Sequence, residues 1–297
     1  MESVVSYPER GKGGNNHYRG NCSPKLIEDI IDQYGVKYLS DYMVGSGTTE
    51  DVCRDRGIAG HYMDLNRGFD LLSMEIPDRP ENIFWHPPYN DIVVYSDNMY
   101  SAQMIIDRFG YDPRKSDLSR CSTWDDFVKR MNYCCIKQFT ALEKGGRMFI
   151  LMGDIKKKGR LYSMLHEITW CGVPENVIIK LQHNCVSDGR QYNGRFVPIV
   201  HEYMLVIRKD NAIIIPISYT KNIHMDIRDS QSATWRDVVA SVLEDYGPST
   251  LEQIYSRIDG HRKTRTNKHW KDKIRQTLQT YPVFNQVKRG IWESQAA

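Results

Sequence analysis

The sequence predicts an α/β fold built on a mainly parallel sheet, joined to a small second domain. Three observations carry this. Short buried strands alternate with amphipathic helices through the first two-thirds of the chain. A glycine-bearing turn at Gly45 and Gly47 links one such strand to the helix that follows. After residue 229 the composition changes, and the positive charge gathers in the new segment.

The elements follow in order. The segment 25–34 has helical spacing and stops at Gly35; 36–41 is a short buried strand, and 49–56 a helix ending at Gly57. Strands are expected at 58–64, 82–85 and 147–152, and a long helix at 124–143 with Ser122 as its cap. The β-branched and aliphatic runs 177–182 and 202–208 read as paired strands around a polar loop. The polar run 230–233 reads as a seam, giving domains 1–229 and 230–297. Beyond it, Trp235, Val238, Val239, Val242, Leu243 and Tyr246 recur at helical spacing up to Gly247-Pro248. Ser249 is placed to cap a second helix with Leu251, Ile254, Tyr255 and Ile258, and 267–281 forms a third. Two short strands around a basic turn, in 282–292, complete a pattern similar to a winged helix-turn-helix.

Composition excludes several classes. The 297 residues are 40% hydrophobic and 26% charged, as in a globular protein rather than a disordered one. Apolar runs such as 148–152 are far below the roughly 18 residues of a membrane span, and the N-terminus has no apolar core of signal-peptide length. No membrane partner and a cytoplasmic location are therefore expected. The seven cysteines (22, 53, 121, 134, 135, 171, 185) are odd in number and form no CxxC pair. Reduced thiols are expected, with no disulfide framework and no metal site. Net charge is only +3, but residues 233–297 hold eleven Lys/Arg against seven Asp/Glu, leaving 29 against 30 in the rest.

Two turns carry chemistry. A strand running through a GxG turn into a helix places backbone N–H groups at the sheet's carboxyl edge, where α/β folds bind nucleotides. Asp64 ends the next strand, where an acid would accept hydrogen bonds from a ribose diol. Glu50 stands where a dinucleotide fold has its third glycine, which suits a ligand without a pyrophosphate. The second turn, His86-Pro87-Pro88-Tyr89, follows the apolar strand 82–85. Its prolines fix carbonyl acceptors in place. Such acceptors would bind the hydrogens of an exocyclic amino group, whose lone pair would then face an approaching methyl group.

These residues together resemble the S-adenosylmethionine-dependent amino DNA methyltransferases, the N6-adenine and N4-cytosine class. That family's first motif typically reads DPFxGSGTT, and residues 41–49 read DYMVGSGTT; its catalytic motif is DPPY, NPPY or SPPY, and residues 86–89 read HPPY. RGNCSPKLIEDII (19–31), LEKGGRMFILMGD (142–154) and VPIVHEYMLVIRK (197–209) extend the similarity over most of residues 15–209. The resemblance implies a Rossmann-like methyltransferase domain with S-adenosylmethionine as cofactor. It places Asp41, Gly45, Gly47 and Thr48 along the methionine part, and Ser23 and Pro24 near its carboxylate. Asp64 would hold the ribose, and Asp70 with Leu71 would sit at the adenine. His86 and the Pro87 carbonyl would accept from the target amino group, with Pro88 rigidifying the turn and Tyr89 stacking on a base flipped out of double-stranded DNA. His86 departs from the family's Asp, Asn or Ser. Imidazolium has no acceptor, so transfer is expected to fall as the pH drops through the His86 pKa, within about pH 5 to 8.

The target favoured is adenine N6, with N4 of cytosine and a catalytically inactive DNA-binding regulator as alternatives. The setting this implies is prokaryotic or phage-type, of the kind found in restriction-modification. DNA contact is expected from Arg262, Lys263, Arg265, Lys268, Lys271, Lys273 and Arg275, with only Asp272 of opposite sign among them.

Overall fold

The computed structural model describes residues 1–183, 196–221 and 223–295. They divide into two compact units, Met1–Thr220 and Lys221–Ala297. The division falls before the polar run at 230 because Asp226–Asp229 already belongs to the second unit. Asp229 accepts from the Arg262 backbone at 2.9 Å, and Arg228 donates to the Arg257 carbonyl at 2.7 Å.

In the first unit the elements run β1 (Val4–Ser6), α1 (Pro24–Tyr34), α2 (Thr48–Asp55), β2 (Asn82–Trp85), α3 (Ala102–Phe109), α4 (Trp124–Ala141) and β3 (Arg147–Met152). They continue as β4 (Ile155–Lys157), β5 (Arg160–Tyr162), α5 (Met164–Glu167), β6 (Trp170–Cys171), β7 (Val173–Leu181), β8 (His201–Arg208) and β9 (Ile217–Ser218). The main sheet has the order β1-β7-β8-β3-β2. It is mixed rather than mainly parallel. β2 pairs with β3, and β1 with β7, in parallel, whereas β8 is antiparallel to both neighbours. The segment between β7 and β8 read as a polar loop, with Cys185, lies largely outside the described residues.

The expected strands at 36–41 and 58–64 form only isolated parallel bridges, Tyr38 to Ala59, Ser40 to Ile83 and Asp41 to Tyr62. The Ser40 hydroxyl accepts the His61 N–H at 3.1 Å, and that side-chain bond interrupts the backbone ladder. These segments nonetheless extend the sheet beyond β2, because Ser40 and Asp41 still bond to Asn82 and His61. Gly60 permits the close approach: a Cβ there would lie 1.8 Å from the Leu39 carbonyl oxygen. Gly60→Ala is expected to cost about 3 kcal/mol, the upper range of overpacking, measurable by urea denaturation.

Side chains alternate across the sheet. Met148, Ile150 and Met152 of β3 pack with Phe127, Met131 and Phe139 of α4, and Phe149 and Leu151 pack with Leu26, Ile27 and Ile30 of α1. Burial on both faces explains the continuous apolar run of β3. Helix ends have local causes. Pro24 occupies the first turn of α1, and Gly35 closes it at φ 60°. The cap of α4 is Thr123, not Ser122, its hydroxyl accepting the Asp126 N–H at 3.1 Å. No helix of the described residues is long and apolar enough to cross a membrane. The six described cysteines are free thiols.

The second unit holds α6 (Trp235–Tyr246), β10 (Ser249–Thr250), α7 (Leu251–Ile258), α8 (Arg262–Thr266), α9 (Trp270–Thr280), β11 (Phe284–Lys288) and β12 (Ile291–Ser294). The strands form one antiparallel sheet, β10-β12-β11. Val238, Val242, Ile254, Ile258, Ile274 and Leu278 fill its core. Thr250, not Ser249, caps α7 through a reciprocal pair with Gln253. Ser249 pairs with Trp292 in the sheet instead. The third helix expected at 267–281 is α9, and a short helix that the sequence reading did not assign, α8, precedes it.

Candidate active site

The glycine turn is built by backbone geometry that side chains rarely adopt. Gly45 has φ 49° and Gly47 φ 85°, and the Gly47 N–H closes the turn on the Val44 carbonyl at 2.9 Å. Asp64 ties this turn to the next one, accepting from the Gly45 N–H at 2.9 Å and the Asn66 N–H at 3.0 Å. Asp41 accepts from the Thr49 hydroxyl at 2.7 Å and the Met43 N–H at 3.0 Å. Both carboxylates are buried, and among the described residues neither has an ion-pair partner. Burial pushes the Asp41 pKa up to about 7, with Asp64 adding to the rise and the Thr49 and Met43 hydrogen bonds opposing it. Asp64 is raised too, again chiefly by burial. A cationic ligand would satisfy this floor.

A cavity of about 800 Å³, counted to its open mouth, joins the two turns. Asp41, Gly45, Thr48, Asp64, Asp70, Leu71, His86 and Pro88 line it; Ser23, Pro24, Gly47, Pro87 and Tyr89 do not. Asn21 and Cys22 take the wall in place of Ser23, whose hydroxyl donates to the Arg10 carbonyl at 2.9 Å at the start of α1. The carboxylate of Asp70 is occupied by the Leu72 N–H at 2.9 Å and by the hydroxyls of Ser73 and Ser116, both at 2.6 Å. Glu50 pairs with Arg67 at 2.7 Å outside the cavity lining.

Several wall residues escape sequence reasoning. The N-terminal segment folds across the glycine turn, Asn15 N–H bonding the Ser46 carbonyl at 3.2 Å and Gly14 N–H bonding Asp51 at 2.8 Å. This brings Tyr18 onto Gly45, where a Cβ would come within 3.1 Å of its ring. Tyr18 stacks with Tyr95 at 5.6 Å between centroids, and Tyr95, Tyr100 and Asp117 line the cavity from the stretch between β2 and α4. The sequence reading assigns no element to that stretch, although it holds α3; its cluster of tyrosines is the available signal.

At the proline turn, β2 runs directly into His86. The His86 Nε2 lies 2.9 Å from the Tyr89 hydroxyl, which donates to Glu202 at 2.7 Å. The Tyr89 ring packs where a Cβ on Gly153 would stand, 2.6 Å away. Burial lowers the His86 pKa to about 4, against the opposing field of Glu202 and with that of Lys180. His86 is thus neutral across the physiological range, and the fall in rate expected between pH 5 and 8 moves below it.

In the second unit, Arg262, Lys263 and Arg265 lie on α8, Lys268 in the turn, and Lys271, Lys273 and Arg275 on α9. Most are exposed. Arg275 pairs with Asp272, while Lys271 sits over the Tyr255 and Trp270 rings, 5.4 Å from each centroid.

No protein-family model matches the chain, and no curated protein sequence does. Among solved structures it is similar to TehB from Haemophilus influenzae, at 8% identity over 62% of this chain and 62% of that one, TM-score 0.29. It is also similar to TrmN from Thermus thermophilus, at 11% identity over 65% and 51%, TM-score 0.26. A third is an S-adenosylmethionine-dependent methyltransferase from Clostridium acetobutylicum ATCC 824, at 12% identity over 63% and 73%, TM-score 0.23. The chain spans less than two-thirds of the length of TehB and about half that of TrmN. The functional reading rests on the site itself.

Proposed function

We propose that the chain transfers a methyl group from S-adenosylmethionine to the exocyclic N6 of adenine in double-stranded DNA. One observation carries this reading: a single cavity joins the buried carboxylates of the glycine turn to His86 of the proline turn. When bound, the cofactor supplies a methyl group activated by a positively charged sulfur. Asp41 and Asp64 offer that ligand two buried carboxyl groups without an ion-pair partner among the described residues, and a bound cation would favour their ionised forms. The cavity's Leu71, Leu72 and Phe69 offer an adenine ring an apolar bed. The neutral His86 ring would accept one N–H bond of the target amine and the Pro87 carbonyl, beside it in the turn but outside the cavity lining, the other. This favours a pyramidal nitrogen whose lone pair faces the methyl group. Tyr89, fixed by its hydroxyl, stands beside the base.

The second unit supports a DNA substrate. Its order of helix, short strand, helices and two strands is similar to that of a winged helix-turn-helix, with the short α8 added between α7 and α9, and α9 would be the element for a major groove. Replacing Lys271, Lys273 and Arg275 by alanine together is expected to weaken duplex binding at ~0.1 M salt by tenfold or more. The log–log salt slope should fall by about three, one for each phosphate contact. The rate at saturating DNA should be kept, as turnover assays on a titration of duplex would show. The central test is radiolabelled methyl transfer to unmodified duplex DNA, with RNA in parallel, followed by nucleoside analysis. Label in N6-methyladenine supports the proposal; label in N4-methylcytosine changes the base. Label in RNA only, or none with DNA binding intact, overturns it.

A further inference from the structure

A neutral imidazole can offer a lone pair at only one of its two nitrogens, and which one depends on the partner of the other. His86 lines the cavity, and its Nε2 meets the Tyr89 hydroxyl at 2.9 Å. That hydroxyl stands 2.7 Å from Oε1 of Glu202, and Oε2 of the same carboxylate holds the Lys180 ammonium at 2.7 Å. Lys180 and Glu202 are registered partners on β7 and β8. Each is only 8% exposed, so the pair is shielded from solvent. Neither lines the cavity.

The directions of these bonds follow from chemistry. A carboxylate paired with an ammonium is ionised and can only accept, so the single Tyr89 proton lies toward Glu202. The Tyr89 oxygen is then left as an acceptor, and the atom facing it, Nε2, must carry hydrogen. The described residues give Nδ1 no hydrogen-bond partner. We infer that the chain Lys180–Glu202–Tyr89 holds His86 in its Nε2–H tautomer and so makes Nδ1 the acceptor for the substrate amino group. Lys180 and Glu202 are therefore positioning residues, acting through Tyr89. The inference rests on the methyl-transfer reading for the role of Nδ1, but not for the tautomer.

The opposite tautomer would present an N–H to the amine and no lone pair. A carboxylate, amide or hydroxyl at this position would have no such ambiguity, because each of those always has an accepting oxygen. Histidine needs a device to select its lone pair, and two strands beyond the proline turn supply one.

The test uses the full chain with ¹⁵N-labelled histidine, the His86 signals assigned by their loss in His86→Asn. Long-range ¹H–¹⁵N correlation at pH 7 should show a protonated Nε2 and an unprotonated Nδ1. In Glu202→Gln, an isosteric change, the amide can donate to Tyr89, which frees the hydroxyl to donate to Nε2. Both tautomers should then be seen. Turnover at saturating DNA and cofactor should fall about tenfold or more, with the KM for cofactor kept. Lys180→Met should do the same in part, by weakening the ionised state of Glu202. A wild-type His86 protonated at Nδ1 overturns the inference, as does a Glu202→Gln variant with tautomer and turnover unchanged. The expected tautomer in a protein that methylates no nucleic acid would leave the relay standing and sink the proposed function instead.

Discussion

His86→Ala is expected to lower methyl transfer by roughly a hundredfold or more, the scale seen when one preorganised hydrogen-bonding group is removed from a reacting centre. Cofactor affinity should change little, because His86 sits at the proline turn and the buried carboxylates at the glycine turn. The effect belongs in kcat, since the hydrogen bond strengthens as the nitrogen becomes pyramidal. Burial holds the His86 pKa at about 4. The wild-type kcat should therefore show no step from His86 between pH 5 and 8, and should decline only as the ring protonates below that window. Single-turnover rates with bound cofactor and duplex, measured across pH, check both statements. A variant that retains more than a tenth of wild-type turnover would remove His86 from the mechanism.

Asp41→Asn should act on the cofactor instead. With its pKa pushed up to about 7, the free carboxyl is half protonated near neutrality, and a cationic ligand binds the ionised form. Affinity for S-adenosylmethionine should be highest above pH 7 and fall as the pH drops below it, approaching tenfold per unit. Asparagine should reduce the affinity about ten- to a hundredfold at pH 8 and abolish most of that pH dependence, as calorimetric titration would show. Stability moves the opposite way. A carboxyl with a raised native pKa keeps its proton in the folded state after the unfolded chain has lost it. The ligand-free fold therefore loses stability as pH rises from about 4 to 7. Asp64 contributes in the same direction. Asp41→Asn should remove part of that slope in denaturation curves taken across pH. A slope unchanged by the substitution would mean Asp41 is ionised in the free protein.

Local chemistry was readable wherever a residue type is required by its own backbone. Gly45 and Gly47 announce their turn because positive φ angles demand glycine there. Asp41 and His86 could be named because strands must end somewhere, and these residues follow runs of buried apolar side chains. The long helix α4 was readable from its periodicity, but its cap shifted from Ser122 to Thr123, a choice between neighbours made by one hydroxyl's reach. The two segments beyond β2 were read as strands, but the Ser40 hydroxyl, by taking the His61 N–H, leaves them joined only by isolated bridges. Sheet direction was harder. β8 is antiparallel to both its neighbours, β7 and β3, so the sheet is mixed.

The sequence by itself determined the two turns, the acids beside the first, the proline-framed histidine and the concentration of positive charge after residue 229. Each depends on residue type within a few positions, where backbone angles, charge and burial preference act. Only the tertiary structure decided that Tyr18, Tyr95 and Tyr100 wall the cavity and that Ser23 and Pro24 stand behind it. Only the structure joined His86 to Glu202 and Lys180, which lie more than ninety residues away on strands that pair far from the motif. Hydrogen-bond direction around a buried ion pair has no signature along a chain. It arises when folding brings one ammonium, one carboxylate and one hydroxyl within reach and excludes the water that would otherwise satisfy them.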